Sequence, residues 1–184
     1  MDRLCVFCGS NAGDDTAYAD AARTVGRTLA EREMGLVYGG GRIGLMGVVA
    51  GATLDAGGDV RGVIPERLLD REQPHGELTE LEVVDSFETR KKRMSTLADG
   101  FLALPGGFGT LDELVEAVTW TQHGVQDKPC GLLNVAGFFD HLVAFFEHQT
   151  AAGFVSRADR ELVTVGDDVD DLLDRFVAFE SDAR

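Results

Sequence analysis

Lysine is nearly absent: only Lys91, Lys92 and Lys128 occur among 17 basic residues, against 32 acidic ones, for a net charge of −15. A field of that sign repels nucleic-acid backbones and anionic membranes, so neither a nucleic acid polymer nor a membrane is an expected partner. An acid-rich, lysine-poor surface fits a high-salt interior or ordinary solubility, and composition leaves both open. Cysteine is equally sparse, with Cys5, Cys8 and Cys130. Cys5 and Cys8 have C-x-x-C spacing, but they lie in the strand-like LCVFC, where residues three apart face opposite sides. No second pair follows, and His75, His123, His141 and His148 offer no metal-ligand spacing. Buried reduced thiols are therefore expected, and no metal or cofactor. No uncharged stretch exceeds 12 residues, short of the roughly 18 needed to span a bilayer. The opening MDRLCVFCGS is acidic and then strand-like, unlike a signal peptide, so a cytoplasmic location is expected.

What is present is a core of adequate size. The chain has 184 residues, 44% of them hydrophobic, and 23 glycines without a collagen period. That suits one domain over 1–184. Strand-like runs occupy 3–8, 35–38, 59–64, 81–84, 100–104, 130–135 and 162–165. Helical periodicity fills 16–33, 44–56, 87–98, 110–123, 137–152 and 168–179. Near-continuous apolar strands alternating with helices predict a Rossmann-like, doubly wound α/β fold: a parallel sheet of about seven strands, helices on both faces. Ligands of such sheets bind beyond the carboxyl ends of the strands, where strand order reverses.

Three strands run into small-residue turns: CGSNAG, YGGGRIGLMG and LPGGFGT. Each places backbone N–H groups at the carboxyl edge, and together they form a rim suited to a nucleotide or sugar phosphate. Ser10, Gly40 and Gly41 are the candidate contacts from the first two loops. Gly39, Gly41 and Gly44 also satisfy G-x-G-x-x-G, with Glu66 about 20 residues on, a dinucleotide fingerprint. Against that reading, 184 residues leave no room for a separate catalytic domain.

The third loop passes from Pro105 through Gly106, Gly107, Phe108, Gly109 and Thr110 into a helix. Thr110 and Glu113 have capping-box spacing, while Leu111, Leu114, Val115 and Val118 form the expected core stripe. Glu113 lies about 200° from Leu111 around the helix. Packing does not require it there, and both capping and a catalytic role stay open. Ala117 and Trp120 form a second apolar flank. Upstream, Arg90, Met94, Leu97 and Phe101 continue one face, which directs Arg90 into a crevice at the sheet edge; Lys92 points to solvent. The run Arg90-Lys91-Lys92-Arg93 is the one dense basic segment, so an anion site is expected beside it.

CVFCGS, LVYGGGRIGLMG, GVIPERLLDRE, TRKKRM and LPGGFGTLDE followed by TWTQ resemble the LOG ("lonely guy") family, once labelled lysine decarboxylases. The hallmark PGGxGTxxE falls at 105–113, and the resemblance runs over about four-fifths of the chain. It implies a Rossmann-like, usually homodimeric hydrolase of cytokinin riboside 5′-monophosphates, and of AMP in many members, releasing base and ribose 5-phosphate. By the same resemblance Arg90 and Glu113 are catalytic. Gly106, Gly107, Phe108, Gly109, Thr110, Leu111 and Asp112 bind phosphate, and Glu72, Lys91 and Thr119 contact the nucleotide. Thr119, near the second apolar flank, is placed to reach a neighbouring subunit's nucleotide. Family members commonly read Met-His-x-Arg-Lys where this chain has Phe87-Glu88-Thr89-Arg90-Lys91, a change that bears on the identity of the base more than on the reaction class. A pyridoxal-dependent decarboxylase would need a buried lysine for its imine; Lys91 and Lys92 repel one another and Lys128 precedes Pro129 in a loop. The alternative on the same fold is a non-catalytic nucleotide-binding or carrier protein.

Overall fold

The computed structural model describes residues 1–182. Seven strands, β1 (Arg3–Phe7), β2 (Gly35–Tyr38), β3 (Val60–Pro65), β4 (Glu80–Val84), β5 (Gly100–Ala103), β6 (Cys130–Leu133) and β7 (Val163–Gly166), form one sheet. All pairings are parallel, in the order β4-β3-β2-β1-β5-β6-β7. The helices are α1 (Thr16–Glu31), α2 (Gly44–Asp55), α3 (Leu69–Glu72), α4 (Phe87–Leu97), α5 (Phe108–Gln122), α6 (Asp140–Ala151), α7 (Arg157–Glu161) and α8 (Val169–Asp182). The fold is Rossmann-like α/β. Among the described residues no helix is long and apolar enough to cross a membrane.

The apolar strands are buried on both sides, as helices on both faces require. Leu4, Val6 and Cys8 join the core with residues of α1, α2 and α8. Cys5 and Phe7 join the opposite core with residues of α4 and α5. The two cysteines thus lie in different cores, and burial pushes both thiols' pKa values up. Strand order reverses between β1 and β5, and the loops leaving them are tied together: Gly9 N–H donates to Pro105 O at 3.0 Å. Leu45 N–H donates to Gly9 O at 3.0 Å, drawing the start of α2 to the same point. Gly44 has φ +61°, and a Cβ there would strike the Ser10–Asn11 backbone. The third glycine of the G-x-G-x-x-G string therefore serves close packing.

Close approach also governs α1 against α2. A Cβ on Gly26 would lie 2.6 Å from Val49 O and 2.9 Å from the Ala52 Cβ. Gly26→Ala forces these helices apart and is expected to destabilise the protein by about 1–2 kcal/mol despite the better helix former. Urea unfolding measures it, and an unchanged midpoint would show that the contact relaxes freely.

Three readings of the sequence require correction. Gly107 is the N-cap of α5, with no side-chain cap, so Thr110 is its third residue and the Thr110–Glu113 capping box does not form. Thr110 is buried beneath Gly106 instead. The buried stripe of α5 is also rotated: Leu114 and Ala117 enter the core, whereas Val115 is 49% exposed. Ala117 is therefore core and not flank. Finally, α3 and α7 carried no periodic signal, since four or five residues make little more than one turn.

Candidate active site

Ser86 fixes the start of α4 by accepting from Thr89 N–H at 3.1 Å. The fourth residue of the helix, Arg90, then turns inward and is only 6% exposed. Its Nε donates to Val63 O at 3.0 Å and its Nη2 to Gly39 O at 2.8 Å. The carbonyls at the end of β3 and in the second glycine loop thus hold the guanidinium, and any Cβ on Gly39 would collide with it. Nη2 also lies 3.4 Å from Glu72 Oε2, and Nη1 lies 4.0 Å from Glu113 Oε1. Two carboxylates flank one buried cation.

Glu72 ends α3, on the connection between β3 and β4. Arg42 N–H bonds Glu72 O at 3.1 Å and Gln73 O at 3.0 Å, and the Arg42 guanidinium grips Gln73 Oε1. A bridge between Gly41 and Pro74 completes the lacing. Glu113 comes from the second turn of α5, and its side chain is 14% exposed. Burial raises its pKa from 4.5 to about 7; Arg90 opposes the shift, and Glu72 and Asp112 add to it. Burial also raises the Glu72 pKa, against Arg90 and Arg71.

These groups line a cavity of about 180 Å³ with Cys8, Gly9, Ser10, Met46 and residues 107–110. The first turn of α5 has no acidic residue, and its N-cap offers no side chain to its free N–H groups. The free N–H groups and the helix dipole make that end of the cavity electrostatically favourable to an anion. The structure thus brings together Ser10, Glu72, Arg90, Gly107, Phe108, Gly109, Thr110 and Glu113. It does not place Gly40, Gly41, Gly106, Lys91, Leu111, Asp112 or Thr119 on that cavity. Lys91 is engaged outside it by Asp112 at 3.0 Å and Glu116 at 3.2 Å. Lys92 is exposed. Gly106 lines a neighbouring cavity of about 200 Å³ with Tyr18 and Phe138. Thr119 faces an apolar groove walled by Val115, Val118, Phe145 and Phe146. Met46 escaped the sequence reading, and Gly39 entered it only as part of the dinucleotide string and not as a partner of Arg90. Met46 carries no polar signal, and Gly39 acts through its carbonyl.

The raised Glu113 pKa has a consequence for stability. The folded state binds this proton more tightly than the unfolded chain, so the contribution is fully present below about 4.5 and lost as pH rises through about 7. A shift of that size corresponds to about 3 kcal/mol. Glu113→Gln is expected to stabilise the protein by about 2–3 kcal/mol at pH 8 and hardly at pH 4.5. Urea unfolding at both pH values checks this; equal effects at the two would contradict it.

Comparison with known proteins adds three findings. A family model described as "Possible lysine decarboxylase" matches residues 46–176. A cytokinin riboside 5′-monophosphate phosphoribohydrolase of Arabidopsis thaliana is 45% identical over 171 residues, 93% of this chain and 80% of the relative. A rice protein named as a probable enzyme of the same kind is 45% identical over 93% of this chain and 77% of its own. Among solved structures, the molybdenum cofactor carrier protein of Chlamydomonas reinhardtii superposes with TM-score 0.75 at 20% identity, over 98% of this chain and 99% of that one. The molybdenum cofactor binding protein of Rippkaea orientalis gives 0.72 at 17%, over 97% and 96%. At such identities these two speak for the fold alone.

Proposed function

This chain belongs to the LOG family, and from that premise we propose that it hydrolyses the N-glycosidic bond of purine or cytokinin riboside 5′-monophosphates, releasing free base and ribose 5-phosphate. The single observation that carries this reading is the buried Arg90 flanked by Glu72 and Glu113 beside the uncapped start of α5. Free N–H groups at 107–110 receive the 5′-phosphate, with Ser10 lining the same cavity. The ribose then lies along α5 toward Glu113. As the C1′–N bond lengthens, positive charge grows on the ribose, and a preorganised carboxylate stabilises it. The same carboxylate orients the attacking water and accepts its proton. Arg90 keeps both carboxylates in place and holds the substrate.

A carrier gains nothing from two acidic groups beside an anion, and the carriers of this fold share only 17–20% identity with this chain. The decarboxylase description fits the site poorly, because no lysine lines the cavity. For assembly, we take a second copy of this chain to cover the groove of Val115, Val118, Phe145 and Phe146, which brings Thr119 toward the neighbouring site. A cytoplasmic location belongs to this reading.

The phosphate requirement tests the function. AMP is expected to be cleaved at least ~10²-fold more efficiently than adenosine, because the phosphate grip supplies binding energy used at the anomeric carbon. Equal cleavage of the two would remove 107–110 from the phosphate role.

A further inference from the structure

Hydrolysis of an N-glycosidic bond needs two proton transfers: one away from the attacking water and one onto the departing base. The cavity contains few groups able to do either. Arg90 is its only cationic side chain, and a guanidinium does not give up its proton in a protein. No histidine or lysine lines the cavity, and Lys91 is held outside by Asp112 and Glu116. The Cys8 thiol is kept protonated by burial. Only Glu72 and Glu113 remain.

Their arrangement separates the two tasks. Glu113 follows residues 107–110 on the same helix, and Arg90 stands between it and Glu72, which comes from the β3–β4 connection. With the phosphate at 107–110, this reading puts Glu113 on the ribose side and Glu72 on the base side. Each carboxylate meets a different nitrogen of one guanidinium, Nη2 for Glu72 and Nη1 for Glu113. We propose that Glu72 is a second catalytic residue: the acid that protonates the leaving base, working as a pair with Glu113 across Arg90. The inference rests on the phosphoribohydrolase reading and deepens it.

In the step, the water oxygen bonds C1′ and its proton passes to Glu113. The C1′–N bond breaks with its electron pair going to the base, and the Glu72 proton moves onto a base nitrogen. Water is added across the bond, and exchange with solvent resets the pair. The charged or titratable groups facing Glu72 are Arg90 from α4, Glu113 from α5, Tyr38 from β2 and Arg71 beside it. Both arginines stay cationic, and burial raises the Tyr38 pKa so that its phenol stays neutral. Glu113 is therefore the one neighbour whose proton couples to that of Glu72; the two titrate as a pair, and the step runs from the form of the pair in which Glu72 holds the proton and Glu113 is ionised.

The test varies the leaving group. Adenine must be protonated as it departs from AMP, whereas 4-nitrophenolate leaves 4-nitrophenyl β-D-ribofuranoside 5-phosphate as a stable anion. Glu72→Gln keeps the shape and the contact with Arg90. It is expected to lower kcat on AMP by ~10²–10³-fold, the usual worth of a general acid, and on the aryl substrate by no more than ~10-fold. Glu113→Gln is expected to suppress both. Glu72→Asp, which restores an acid, should recover part of the AMP activity. Equal losses of Glu72→Gln on the two substrates, or no loss on AMP, would overturn the assignment of Glu72 alone. A wild-type protein inert toward both substrates would overturn the phosphoribohydrolase reading and this inference with it.

Discussion

Glu113→Ala lowers turnover of AMP by ~10³-fold or more, while AMP still binds within about tenfold of the wild-type affinity. The expectation follows from separate placement of two functions on one helix. In the proposed reading the phosphate meets backbone N–H groups at 107–110, which the substitution leaves alone, and the uncapped first turn of α5 does not use the Glu113 side chain. What the proposed mechanism loses is the carboxylate at the reacting carbon, whose effect it places in the transition state and not in the ground state. Calorimetric titration with AMP beside a turnover assay separates the two. If affinity and turnover fell together, Glu113 would be a substrate-binding group only.

Arg90→Ala acts differently and on more than catalysis. Removing the guanidinium leaves the carbonyls of Val63 and Gly39 without their donor and deprives Glu72 and Glu113 of the cation between them. Breaking a buried pair of this kind costs about 3–5 kcal/mol, because the remaining charges have no compensation. Arg90→Ala is thus expected to lose that much stability as well as turnover. Arg90→Lys should recover little, since one ammonium cannot match a planar fork of donors spread over two carbonyls and two carboxylates. Chemical unfolding of the three proteins measures the stability loss. Full stability in Arg90→Ala would show that the carboxylates take up protons and relax without their cation.

Much of this fold was legible because its strands are buried on both sides. GLVY, GFLA and CGLL read as continuous apolar runs, and each is a strand in the structure. The opposite facing of Cys5 and Cys8 followed from strand geometry alone. Arg90 was legible for a related reason: on α4 it shares a face with Met94, a core residue, and the partly buried Leu97, although Phe101, read as continuing that face, lies on β5. The start of α5 was misread for a physical reason too. A Ser/Thr-x-x-Glu string signals a helix start when side chains satisfy the first N–H groups. Here glycine begins the helix and leaves those groups free for an anion, so the same letters sit a turn further in. The Arg90–Glu72 contact could not be read from periodicity, because a four-residue helix and a laced loop bring Glu72 in from 18 residues away. The exposure of Val115 could not be read either. A helix with apolar residues on two flanks does not say which flank meets its own sheet.

The most direct measurement is a chromatographic assay of the purified protein with AMP and with isopentenyladenosine 5′-monophosphate, in low and in molar salt, beside Glu113→Ala. The expected result is free base and ribose 5-phosphate in equal amounts from the wild type and not from the variant, with the preferred base reporting on Phe87 and Glu88. The salt at which activity is greatest tells whether the −15 net charge is a high-salt adaptation. Tight binding of both nucleotides, with each recovered intact in either salt, would contradict the assignment and leave a nucleotide-binding protein.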